Sequence, residues 1–128
     1  MTIELYSLLA TALLLLVLAF LSANIYGKQV GNPALMSNRE NIAAPTGMAQ
    51  RAIRAHLNLI ENAVPFAIVV LVAQSVHVST PTTQAAALIF IIARVVHAIV
   101  YIAGITTIRT LLWLAGVVAT IAIGLALL

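Results

Sequence analysis

The sequence predicts an all-α membrane protein, a bundle of four transmembrane helices, and three observations carry that prediction. Of the 128 residues, 63% are hydrophobic and only 7% charged, with a mean hydropathy of +1.15, which lies outside the range of soluble domains. The apolar residues fall into four runs, each long enough at about 1.5 Å per helical residue to cross roughly 30 Å of hydrocarbon. The polar residues between them gather into segments rich in Gly, Pro, Asn and Thr, the residues of turns and loops. One domain over residues 1–128 follows, with helices at 2–26, 47–76, 84–103 and 108–127.

The same composition excludes several classes of function. Six basic and three acidic residues leave a net charge of +3, too sparse and scattered for a nucleic-acid footprint. There is no cysteine, so disulfides, thiolate metal sites and cysteine nucleophiles are absent, and any reactive thiol has to arrive with a ligand. The chain has no phosphate-cradling GxGxxG, no nucleophile elbow and no HExxH. Ion channels and transporters stay open as alternatives, although four helices are few for a transporter and no inverted repeat relates the two halves.

The first helix, 2–26, is almost wholly aliphatic from Leu13 to Leu21. Glu4, the lack of a basic leader and the length of the apolar core separate it from a cleavable signal peptide, so it is read as a retained span. Asn24 and Tyr26 mark its interfacial end. From Lys28 to Gly47 the chain carries Gly31, Pro33, Asn38 and Pro45 and reads as an exposed loop. Loops of this length are functional or disordered, and this one is expected to cover the mouth of a site.

The second helix, 47–76, contains Pro65, which removes one backbone hydrogen bond and is expected to bend it. HVSTPTT, residues 77–83, forms a polar turn before the third helix, 84–103. Gly104 to Thr107 makes the next turn and 108–127 the fourth helix. Its small residues Gly116, Thr120 and Gly124 recur every fourth position as a packing seam. Lys28, Arg39 and Arg51 lie in or beside the first loop and Arg109 in the third, whereas the second loop and the termini hold no Lys or Arg. By the positive-inside rule, loops one and three are cytoplasmic and both termini are on the opposite side. Short loops, and no ER-retention signal at the C-terminus, point to a bacterial inner membrane.

Two helices carry polar stripes. At about 100° per residue, Arg51, Arg54, Asn58, Glu61, Asn62 and Pro65 fall within an arc of roughly 100° on the second helix, and His56 points the other way. On the third helix, Arg94, His97 and Tyr101 lie within roughly 60° of one another. An ionised side chain near mid-membrane costs at least about 2.5 kcal/mol, so such stripes persist only against partners, water or a polar ligand. Both stripes belong to the same leaflet, and Glu61 and Arg94 are each about ten residues, on the order of 15 Å, from the cytoplasmic ends. They are expected to neutralise each other, with Arg51, Arg54, Asn58, His97, Tyr101 and Arg109 lining a polar cavity open to the cytoplasmic face.

Several guanidiniums beside Asn, His and Tyr suit a ligand with carboxylates, because Arg forks match carboxylates bidentately. Arg109 opens the fourth helix, where its charge and the positive end of the helix dipole favour a thiolate brought by the ligand. A lipophilic partner can enter sideways from the bilayer. Each residue also has a plainer role: Glu61 with Arg94 as a structural ion pair, Arg51 and Arg109 as headgroup anchors, His56 as a helix contact, Tyr101 as an interface anchor. His97 has no partner at metal-ligand spacing, so no metal site is expected.

RAHLNLIENAVPF (residues 54–66), ARVVHAIVYI (residues 93–102) and Arg109-Thr110 together resemble the MAPEG family, membrane-associated proteins in eicosanoid and glutathione metabolism, and most of all its microsomal glutathione transferases. The resemblance covers all four helices. It implies a homotrimer that binds glutathione as co-substrate between adjacent protomers toward the cytoplasmic side. By position, Arg54, Asn58, Glu61, Arg94, His97 and Tyr101 would orient glutathione, with Arg51 a further basic position, and Arg109 would stabilise its thiolate for attack on a lipophilic electrophile or hydroperoxide. Two departures stand out. The turn before Arg109 is shorter than in the animal transferases and lacks their prolines, and Leu57 replaces an arginine of the prostaglandin-synthase branch, which argues against that activity. The family also has a non-catalytic branch, so the alternative is a lipid-binding protein or an assembly partner of a larger membrane complex.

Overall fold

A computed structural model describes all residues from 1 to 128 and contains helices but no strand. The elements are α1 (Ile3–Val30), α2 (Asn32–Met36), α3 (Gly47–Ser75), α4 (Pro81–Ala103) and α5 (Thr107–Leu125). Four of them, α1, α3, α4 and α5, are long and apolar enough to span a membrane. α3 and α4 form the central pair, since each packs on the other and on both remaining spans, whereas α1 and α5 flank the pair and do not meet.

Local chemistry moves two boundaries. α1 continues past Tyr26 to Val30, because a glycine at 27 lets α2 fold back against it: a Cβ there would lie 2.7 Å from Asn32 Oδ1. Gly31, at φ +88°, then turns the chain out of the helix. α4 begins at Pro81 rather than Gln84, since Pro fits the first helical position and Thr80 with Thr83 closes a capping box. Pro65 sits inside α3 without ending it.

The first loop departs from expectation. Tyr26 donates its hydroxyl to Ala43 O at 2.6 Å, Gln29 donates to Ala44 O at 3.0 Å, and Thr46 N donates to Gln29 Oε1 at 3.1 Å. These bonds fold residues 43–46 back onto the end of α1. The loop contributes no lining residue to the polar cavity described below, so within the protomer it does not cover the mouth of a site.

The larger core cluster joins Phe66 and Val70 of α3, Ala86, Ala87 and Phe90 of α4, and Ala119 and Ile123 of α5. Phe66 and Phe90 stack with ring centroids 3.7 Å apart. A smaller cluster joins Leu18, Leu59 and Ala98, and on α4 the turn carrying Arg94 separates the two.

At the opposite end of α4, Glu4 is 2% exposed and is held by hydroxyls: Thr83 donates at 2.5 Å, and Ser79 donates at 3.1 and 3.2 Å to its two carboxylate oxygens. Glu4 thereby pins the start of α1 to the start of α4. Glu4→Gln weakens these charge-assisted bonds and is expected to remove about 1.5–3 kcal/mol of stability. Thermal unfolding in detergent checks it, and an unchanged midpoint would show that the pin contributes nothing.

Candidate functional site

The C-terminal half of α4, the start of α5 and the middle of α3 enclose a polar cavity of about 260 Å³. Its lining is Asn58 from α3, His97 and Tyr101 from α4, and Arg109, Thr110 and Trp113 from α5. His97 and Tyr101 are one helical turn apart, and their rings meet edge to face with centroids 5.5 Å apart. The Arg109 guanidinium lies over the Tyr101 ring, 4.4 Å from its centroid. Arg109 also belongs to the first turn of α5, where unpaired backbone N–H groups add positive potential. No carboxylate lines the cavity. Its chemistry is that of an anion receptor with an imidazole and a phenol at hand.

Arg94 stands behind the cavity, one turn before His97, and is 1% exposed. Its Nη1 donates to Asn58 Oδ1 at 3.4 Å, and its Nη2 donates to Trp113 O at 2.8 Å and Leu112 O at 3.3 Å. The guanidinium also lies 5.4 Å from the centroid of Phe90, and Nε is the one buried side-chain polar atom without a hydrogen-bond partner.

The expected Glu61–Arg94 ion pair is not formed: Arg94 turns to Asn58 and α5, and Glu61 is exposed. The reason is azimuthal. Asn58 faces α4 and α5, whereas Arg54 and Glu61 lie about 40° and 60° around α3 from it, which carries them to the outer face. Arg54 and Glu61 are both exposed there. Arg51 stands apart from the cavity; its Nε donates to Ile102 O at 2.8 Å and so caps the end of α4. Of the eight candidate residues, the cavity brings together Asn58, His97, Tyr101 and Arg109, with Arg94 immediately behind.

Thr110 and Trp113 were not anticipated from sequence. Trp113 follows Arg109 at the i, i+4 spacing that puts two side chains on one helix face, a signal masked by the apolar run around it. A larger cavity of about 640 Å³ lies between α4 and α5 toward the other end of the bundle, but its lining, including Ala86, Ile89, Val118 and Ala122, is mostly apolar and offers no charged or titratable group, Thr82 being its one hydroxyl.

Fold and site together define a multi-pass membrane protein with a cationic, carboxylate-free cavity near one end of its helices. A family model described as the MAPEG family matches residues 4–128, and the chain belongs to that family. Membership places it among membrane proteins of eicosanoid and glutathione metabolism. No curated protein matches the chain.

Proposed function

We propose that the protein is a membrane transferase or peroxidase of the microsomal glutathione transferase type, which uses glutathione or another small thiol against lipophilic electrophiles or hydroperoxides. The observation that carries this reading is the convergence of Asn58, His97, Tyr101 and Arg109 on one cavity without an opposing carboxylate. Arg109 stabilises the thiolate, and the neighbouring side chains hold the rest of the thiol in place. The thiolate sulfur forms a bond to an electrophilic carbon while the leaving group departs with its bonding pair. With a hydroperoxide, sulfur takes the distal oxygen to give a sulfenic acid and an alcohol, and a second thiol then yields disulfide and water. Trp113 borders the cavity and is 40% exposed, an apolar edge beside which a lipophilic substrate from the bilayer can settle.

The cavity supports assembly as a homotrimer. At about 260 Å³ it falls short of the roughly 300–1,000 Å³ of ligand pockets, so one protomer supplies part of a site. Arg54 and Glu61 lie uncovered at membrane depth, where lipid is a costly neighbour, and a second copy with a shared polar ligand relieves that cost. The distribution of Lys and Arg supports cytoplasmic loops one and three, with both termini on the opposite side of the membrane.

Thiol binding to the purified protein in detergent, with several low-molecular-weight thiols compared, tests the reading together with conjugation of a generic electrophile. Saturable binding of a carboxylate-bearing thiol and turnover above the uncatalysed rate are expected. Lipid binding without either would turn the assignment to the non-catalytic alternative.

A further inference from the structure

Arg94 is buried behind the cavity yet touches two residues that line it from different helices, Asn58 of α3 through its side chain and Trp113 of α5 through its carbonyl. It reaches α5 only because position 116 is glycine. A Cβ built at Gly116 would lie 2.6 Å from Arg94 Nε and 2.7 Å from Cζ, inside the space the guanidinium fills. Leu112 and Trp113 each have a second carbonyl lone pair beyond the one used by their helix, so the guanidinium can bond to them without unwinding α5. Arg94 has no carboxylate partner to hold it elsewhere.

We infer that Arg94 is a positioning residue seated in a notch made by Gly116, and that this seat sets where α5 places Arg109, Thr110 and Trp113 against His97 and Tyr101. Arg94 then does not touch the ligand. It ties α3, α4 and α5 together behind the cavity, and the glycine in the α5 seam is a socket for a cation rather than a generic point of close helix packing. A second glycine on the same ridge supplies the contrast: a Cβ at Gly124 would meet its nearest neighbour, Val69 Cγ1, at 3.7 Å, an ordinary contact. Gly116→Ala leaves the buried guanidinium with Asn58 Oδ1 as its only remaining acceptor, because moving it aside breaks its bonds to both α5 carbonyls.

Trp113 is the single tryptophan of the chain, so its fluorescence reports on α5 with no other contribution. The inference rests on the proposed thiol chemistry for its activity readout, whereas the fluorescence readout is taken without ligand and stands independently. In purified, assembled protein, Gly116→Ala and Arg94→Met are each expected to shift Trp113 emission and change its quenching by acrylamide, while Gly124→Ala leaves both as in the parent. A displacement of about 1 Å at a catalytic group lowers turnover by on the order of a hundredfold, so both seat variants should lose that much in kcat, with the larger share in kcat rather than KM. The two changes act on one contact, so the double variant should be no worse than either single one. Where Arg94→Met does not assemble, Gly116→Ala against Gly124→Ala decides the question. Unchanged Trp113 emission in Gly116→Ala overturns the seat, as do additive losses in the double variant. An intact fluorescence response with no thiol turnover in any variant, parent included, would retain the seat and remove the enzymatic assignment.

Discussion

Arg109→Ala is expected to lower conjugation by about 10²–10³-fold, the loss that follows removal of one preorganised group from a developing or resting anion. Three features concentrate the effect on this residue. Arg109 lines the cavity, lies in the first turn of α5 where the helix dipole adds to its charge, and is held over the Tyr101 ring by a contact of 4.4 Å. On the proposed chemistry a thiol in the cavity meets fixed positive charge and no carboxylate, which favours the thiolate form. The diagnostic readout is the ultraviolet absorbance of bound thiolate. It should fall in Arg109→Ala in step with turnover, while thiol affinity falls less, since the thiol's carboxylates retain other donors. Arg109→Lys keeps the charge but loses the planar fork, and should recover part of the thiolate signal. Wild-type thiolate absorbance and turnover in a properly assembled Arg109→Ala protein would remove Arg109 from the chemistry and leave it as an anchor at the helix end.

Much of this site was legible in the sequence, and the part that was not has a common physical cause. Four spans follow from hydropathy, because each must bury or face lipid along its whole length. The third-helix stripe of Arg94, His97 and Tyr101 also follows, since spacing within a helix fixes azimuth within that helix. What spacing does not supply is the rotation of one helix against another. α3 turns Asn58, and not Glu61, toward α4, and the expected Glu61–Arg94 pair gives way to Arg94 bonding α5 carbonyls. The same gap hid Gly116, which reads as one more small residue of a ridge until a guanidinium is seen filling its notch. Thr80 and Pro81 carry a start signal for α4 that the polarity of HVSTPTT masks. Nothing local marks Glu4 as a tie between helices, because its partners Ser79 and Thr83 are distant in sequence.

Glu61→Gln is expected to separate binding from stability in opposite directions. Glu61 lies near the middle of the 29-residue α3, exposed on the protomer, with no bonded partner to offset its charge. Of the other two acids, Glu4 is engaged at the far end of α4 and Glu40 lies in the first loop, so Glu61 is the one carboxylate on the spans left to receive a cationic group. On the proposed reading glutathione supplies such a group, its α-ammonium, beside a carboxylate that suits Arg54 on the same outer face. Removing one partner of a desolvated, hydrogen-bonded charge pair costs about 2–5 kcal/mol, which is roughly thirtyfold or more in affinity. The loss should be selective: N-acetylated glutathione, which lacks the ammonium, should bind the parent weakly and bind Glu61→Gln about equally well. Ligand-free protein should respond the other way. A carboxylate held at membrane depth costs at least about 2.5 kcal/mol when ionised, so replacing it with a neutral amide should raise the unfolding midpoint in lipid nanodiscs. That combination, lower affinity with higher stability, marks a residue retained for its ligand. Were Glu61 instead a structural partner of another protomer's arginine, Glu61→Gln would lower the midpoint and loosen the oligomer, and the affinities for the two thiols would fall together.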